Sequence, residues 1–106
     1  MIESQLSPEL FKRAKASGHW HDKTLLDYLD EVAPGRLDRV AVTDLNSETG
    51  QVTTLSYRQL LRLSRRIALG LVALGVQRGE VVAYQLPNWW QFVALHRACL
   101  HIGAVT

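Results

Sequence analysis

The chain has 106 residues, enough for one small domain or for part of a larger one. Hydrophobic residues make up 47% and charged residues 21%, which excludes a disordered composition, and a formal net charge of +2 gives no case for nucleic-acid binding by charge. The longest mostly apolar stretches, 67–76 and 81–86, fall far short of the roughly 20 residues that a membrane-spanning helix needs.

Residues 7–16 read as a short helix. Ser7 is placed to cap it, Pro8 suits its first position and Glu9 its first turn, and Gly18 ends it. His19-Trp20-His21-Asp22 is a polar, aromatic connector. A second helix is expected over 24–33, capped by Thr24 or Asp22, with Leu25, Leu26, Leu29 and Val32 at helical spacing before Pro34-Gly35. Residues 39–45 read as a strand with Val40 and Val42 on one face. After a turn at 46–50, residues 51–55 return as its hairpin partner.

Ser56 is placed to cap the clearest element of the chain. Tyr57, Leu60, Leu61, Ser64, Ile67, Ala68, Leu71 and Val72 mark one helical stripe. Arg58, Arg62, Arg65 and Arg66 lie largely off it, and Gly75 is the natural left-handed stop. Arg78-Gly79-Glu80 is a tight turn. The nearly continuous apolar run 81–86 reads as a central strand covered on both faces, ended by Pro87-Asn88. A last helix runs through 89–102, with Phe92, Leu95, Ala98, Cys99 and Ile102 on its buried face and Gly103 at its C-cap. Ala104-Val105-Thr106 has strand character, parallel to 81–86. The expected fold class is therefore α/β: a partial layered lobe, with a β-hairpin followed by α-β-α and the start of a further strand. No linker or repeat divides residues 1–106, and the last residues read as one step into a buried strand, so a truncated unit is expected.

A single cysteine excludes an internal disulfide and fits a reducing, cytoplasmic compartment. The N-terminus has no basic region followed by an apolar run and does not read as a secretory signal.

Four segments, in order, resemble adenylate-forming enzymes. Leu55-Ser56-Tyr57-Arg58-Gln59-Leu60 is similar to that family's first conserved segment. Leu74-Gly75-Val76, Gly79-Glu80 and Val82-Ala83 follow its run from helix to strand. Leu86-Pro87-Asn88 matches its strand ending, and 99–105 resembles its small-residue segment. The resemblance covers residues 24–106, while 1–23 match loosely. The Gly18-His19-Trp20 lead-in and the Trp89-Trp90 pair look most like acyl-CoA ligases of the cyclohexanecarboxylate–CoA ligase kind.

The resemblance implies the N-terminal part of the large domain of an AMP-forming acyl-CoA synthetase. Such a parent ligase activates a carboxylic acid with ATP to an acyl-adenylate and transfers the acyl group to coenzyme A, in the manner of fatty acid metabolism. Its cofactors would be ATP, Mg²⁺ and coenzyme A; none is expected for this segment, which would be inactive alone. The chemistry calls for a Ser/Thr/Gly-rich phosphate loop, an acidic Mg²⁺ ligand and a lysine on a mobile C-terminal domain. No such motif is present, and Lys12, Lys15 and Lys23 are the only lysines, so no catalytic, cofactor-binding or metal residue is assigned. The implied partners are the remainder of the parent chain and, through uncovered apolar surface, further copies of this one. The alternative is a non-enzymatic interaction or oligomerisation module with its own closed core.

Leu86-Pro87-Asn88, at the carboxyl end of the expected strand, is the part nearest a ligand pocket. Trp89 and Trp90 are read first as packing anchors, with one ring facing a pocket as the sharper reading. His19 and His21 lack a third ligand and read as a surface connector. His96 and His101 are five apart and do not share a helix face closely. The four arginines read as a solvated face, with coenzyme A phosphates or an anionic surface as the alternative. Cys99 reads as a small buried hydrophobe.

Overall fold

A computed structural model describes residues 7–32 and 34–106. The expectation for the N-terminal six residues and for Ala33 as the end of the second helix lies outside the described residues. Among the described residues the fold is mixed α/β, with four helices and a two-stranded antiparallel hairpin.

Helix α1 spans Pro8–Ala16, and the Ser7 side chain accepts a hydrogen bond from the Leu10 amide at 3.3 Å. Gly18 follows with a left-handed φ of 74°. Phe11 meets Trp20 edge-on, with ring centroids 5.3 Å apart, which folds the connector back on the helix. Helix α2 spans Leu25–Val32. Thr24, not Asp22, begins it. Its amide and hydroxyl both donate to Asp27 Oδ2, at 2.6 and 2.8 Å, and Asp27 N donates back at 3.4 Å.

These bonds hold the Asp27 carboxyl below its ordinary range. A carboxyl depressed in the folded state adds stability that is present above its unfolded pKa. That stability is lost as pH falls through the folded value. Asp27→Asn is therefore expected to flatten the acid side of a stability-against-pH profile measured by urea unfolding; an unchanged acid slope would contradict the cap.

Strands β1 (Val40–Leu45) and β2 (Val52–Ser56) pair antiparallel. Asn46 Oδ1 accepts from the amides of Glu48 and Thr49 at 2.9 and 3.1 Å, and Gly50 closes the loop at φ 72°. The simple alternation expected for β1 is broken. Its register steps from Val40 opposite Ser56 to Val42 opposite Leu55, so two residues advance against one, a β-bulge. Val40 is left 60% exposed, while Asp44 turns inward and is buried.

Ser56 passes directly from β2 into α3, Tyr57–Ala73. Its hydroxyl accepts from Gln59 N at 3.2 Å and its amide donates to Gln59 Oε1 at 2.8 Å, a reciprocal cap. At the other end Val76 N reaches Leu71 O and Gly75 N reaches Val72 O, with Gly75 at φ 95°. On the predicted stripe Leu60, Ser64 and Ala68 are buried. Val72 is 53% exposed and lines a groove beside Ile102 instead of filling a core.

The run 81–86 departs most from expectation. It is extended but carries a single parallel bridge, Val81 to Val105. A ladder needs a facing strand, and only Ala104–Thr106 lies opposite. Burial alternates: Val82 and Tyr84 are half-buried, whereas Val81, Ala83 and Gln85 are exposed. The segment is covered on one face, by α4 (Trp90–Ile102), where Tyr84 meets Phe92 edge-on at 5.4 Å.

Helix α4 forms the principal helix–helix contact, with α3. Its buried residues are Ala94, Arg97, Ala98 and Cys99; Phe92, expected inside, is 37% exposed. The small side chains of α4 face a stretch of α3 that buries Ser64 and Ala68. Ser64 Oγ satisfies itself on Leu60 O at 2.8 Å. Gly103 ends α4 at φ 71°. A Cβ there would stand 2.9 Å from Arg78 Cγ, so both conformation and space require glycine.

The molecule is open for its size. Its radius of gyration is 16.5 Å, against about 13 Å for a compact domain of this length. It exposes 8140 Å², where a compact monomer of its mass exposes about 5900 Å².

Candidate functional site

The carboxyl end of the 81–86 segment and the start of α4 form the candidate site. Its position is set from a distance. Trp89, the N-cap of α4, offers no side-chain cap. The buried Asp44 carboxylate on β1 supplies one instead, accepting the Trp90 amide at 2.6 Å. A carboxylate at a helix N-terminus is stabilised by the unsatisfied amides and the helix dipole. Asp44 Oδ1 is buried without a partner. The hairpin and the strand-to-helix turn are thereby fastened together.

Pro87 and Asn88 remain exposed, and Trp89 N donates to Pro87 O at 2.7 Å, which tightens the turn. Trp89 and Trp90 are both half-buried, in keeping with packing anchors. A cleft of about 450 Å³ lies against the first half of the segment, away from the turn, and its lining includes Val81, Val82, Tyr84, Phe92, His96 and Thr106. Tyr84 Oη stands 3.5 Å from His96 Nδ1, and burial pushes the Tyr84 phenol up from its ordinary pKa. The cleft is largely apolar, with the Tyr84 phenol, the His96 imidazole and the Thr106 hydroxyl as its polar side-chain groups, suited to shape recognition more than to charge.

The structure separates the two helical histidines, as their spacing implied. His96 faces Tyr84, whereas His101 lines the α3–α4 groove beside Arg65. His19 and His21 line a shallow surface cleft with Trp20, Lys23 and Tyr28. Among the described residues no group of three or more His, Cys, Asp or Glu converges as metal ligands. Nor does the sequence hold a glycine-rich phosphate loop. Lys15 pairs with Asp22 at 2.5 Å and Lys23 pairs with Glu31. Cys99 is fully buried, and burial raises its thiol pKa.

Two polar residues were missed by the reading of the sequence. Asp44 stands in an otherwise apolar and β-branched strand, a signal for a buried carboxylate with a job. Arg97 sits among alanines on α4. It is 5% exposed and donates from Nη2 to Asp30 Oδ1 at 3.3 Å, which ties α2 to α4. Burial lowers the Arg97 pKa, partly offset by Asp30.

The model of the "AMP-binding enzyme" family matches residues 29–106. The chain is 33% identical over 92 residues to the medium-chain fatty-acid–CoA ligase of Escherichia coli (strain K12), covering 87% of this chain and 15% of that one. It is 38% identical over 95 residues to a salicylyl-CoA synthase / salicylate adenylyltransferase of a Streptomyces species, covering 90% and 16%. Among solved structures, apo MbtA of Mycobacterium smegmatis superposes with a TM-score of 0.80 at 31% identity, covering 96% of this chain and 18% of that chain. The chain thus spans about one sixth of the length of these relatives, and the match includes the capped helix α3, the Leu86–Asn88 turn and α4. This chain belongs to the AMP-binding enzyme family, the adenylate-forming enzymes that its four sequence segments resemble.

Proposed function

We propose that this chain is the scaffold of the N-terminal lobe of an acid–CoA ligase. The parent enzyme would activate a carboxylic acid with ATP to an acyl-adenylate and pass the acyl group to coenzyme A, in the cytoplasm, with Mg²⁺ on the nucleotide. The named relatives act on a medium-chain fatty acid and on salicylate. A ring carboxylate of the cyclohexanecarboxylate kind is the finer reading for this chain, supported only by the Gly18-His19-Trp20 and Trp89-Trp90 segments.

The observation that carries the scaffold reading is the openness of the fold. It exposes about a third more surface than a compact monomer of its mass. Val81, Leu86 and Phe92 contribute apolar surface around one half-covered segment. Such surface calls for neighbouring strands and helices from the rest of a larger domain, or for further copies of this chain. On this reading residues 1–106 are one incomplete unit and contain no catalytic, cofactor or metal residue.

Two measurements test it. The isolated chain is expected to show no carboxylate-dependent ATP–pyrophosphate exchange, and to self-associate by light scattering with dye binding. Robust exchange would overturn the scaffold reading. A compact, non-sticky monomer would favour the alternative of a self-contained interaction module.

A further inference from the structure

Two clefts along α3 combine features that the ligase reading does not use. At one end, Arg62, Arg65 and Arg66 line a cleft of about 480 Å³ with Leu61 and Leu69. Arg58 lines it too, but is held by Asp38 through two hydrogen bonds of 3.0 and 3.3 Å. Among the described residues the other three arginines pair with no carboxylate. At the other end, Ala68, Val72 and Ile102 line a cleft of about 320 Å³ between α3 and α4. Arg65 and Leu69 line both clefts, so the two adjoin along α3. One end is cationic and the other apolar.

A third feature lies in the apolar cleft, beside Arg65. His101 lines the apolar end, and its Nε2 is buried with no hydrogen-bond partner. Burial and the charge of Arg97 lower its pKa, and the tautomer protonated at Nε2 would donate there to an oxygen. Asp30, the carboxylate nearby, is already engaged by Arg97. A buried polar atom without a partner asks for one, and an anion between Arg65 and His101 would supply it.

We propose that this groove binds a single-chain amphiphile with an anionic head. Arg62, Arg65 and Arg66 hold the head, and the chain lies along Leu69, Val72 and Ile102. Charge complementarity selects the head, because charge-assisted bonds from guanidinium to an oxyanion are the strong ones. The apolar end selects the chain, and both clefts, although open to solvent, have volumes in the range of small-ligand sites. The site is separate from the Leu86–Asn88 turn and stands or falls independently of the ligase reading.

The test is titration calorimetry of the full chain with monomeric decyl phosphate, below its micelle threshold. Inorganic phosphate, decanol and anionic vesicles serve as comparison ligands. The expected result is saturable one-to-one binding of decyl phosphate, with phosphate and decanol each at least about tenfold weaker. Arg65→Ala and Leu69→Asp should each weaken decyl phosphate binding by about tenfold or more. Arg58→Ala should change it little, because Asp38 already holds that side chain. Both Arg65 and Leu69 are exposed, so the variants should keep the wild-type circular dichroism, and the ligand comparison on wild type needs no variant at all. Equal affinity for phosphate or for decanol, or binding unchanged in both variants, would overturn the proposal. Binding to vesicles without binding to the monomer would overturn it in favour of a membrane surface.

Discussion

Ala98→Leu is expected to destabilise the chain by about 3 kcal/mol, a loss near 15 °C in melting temperature for a domain of this size. Ala98 is fully buried, as are its neighbours Ala94 and Cys99 on α4. The facing helix α3 presents Ser64, also fully buried, and Ala68. Small residues on both sides let the two helices approach closely, and an isobutyl group at the fully buried Ala98 must displace its neighbours. Close-packed interiors answer such an insertion with off-rotamer side chains or a shifted helix, not with compression. Urea unfolding of the variant checks it, with Leu69→Ala as the control on the exposed face of α3. A change below about 0.5 kcal/mol, typical of surface sites, would mean that the α3–α4 interface is looser than described.

Asp44→Ala is expected to cost about 2 kcal/mol, the upper range for loss of a helix cap. The substitution removes the acceptor of the Trp90 amide, and the site is buried, so water replaces it poorly. Asp44→Asn keeps an acceptor and loses the charge. It should cost about 1 kcal/mol, from the lost interaction with the amide dipoles of α4. The order alanine worse than asparagine worse than wild type is the signature to measure by urea unfolding. Equal stability of all three would show that α4 is positioned by its packing on α3 alone.

Much of this fold was legible in the sequence because its punctuation is chemical. Ser7, Thr24 and Ser56 cap helices through hydroxyls, and Gly75 and Gly103 stop them with φ values that other residues avoid. Those signals act over a few residues and survive without tertiary context. What was not legible depends on partners far along the chain. The phase of β1 cannot be read from alternation when an extra residue at Ala41 resets it. Arg97 is charged, so periodicity assigns it to solvent. Only the proximity of Asp30, 67 residues earlier, makes its burial tolerable. The run 81–86 reads as a central strand because its composition is that of one. Composition states what surface a segment is able to bury, and the fold decides how much is covered.

For the candidate site the same division holds. The Leu86–Asn88 turn was visible as a strand end. Its fastening to the hairpin through Asp44 was not, since that bond spans 46 residues. The basic face of α3 was visible as well. Its division into Arg58, held by Asp38, and the three remaining arginines was not, since that pairing joins residues 20 apart.

The lone bridge between Val81 and Val105 has a thermodynamic consequence. Val82 N donates to Val105 O, and Val105 N donates to Glu80 O, both at 2.8 Å. Gly79 N also donates to Gly103 O, at 2.9 Å; at about 1 kcal/mol each, the three bonds together only offset the roughly 3 kcal/mol that closing the intervening loop costs. The bridge therefore cannot hold α4 in place; the docking of α4 on α3 supplies the free energy that closes it. Hydrogen exchange at the Val82 and Val105 amides would thus act as a gauge of helix docking, slowing and quickening with the α3–α4 interface instead of setting its strength.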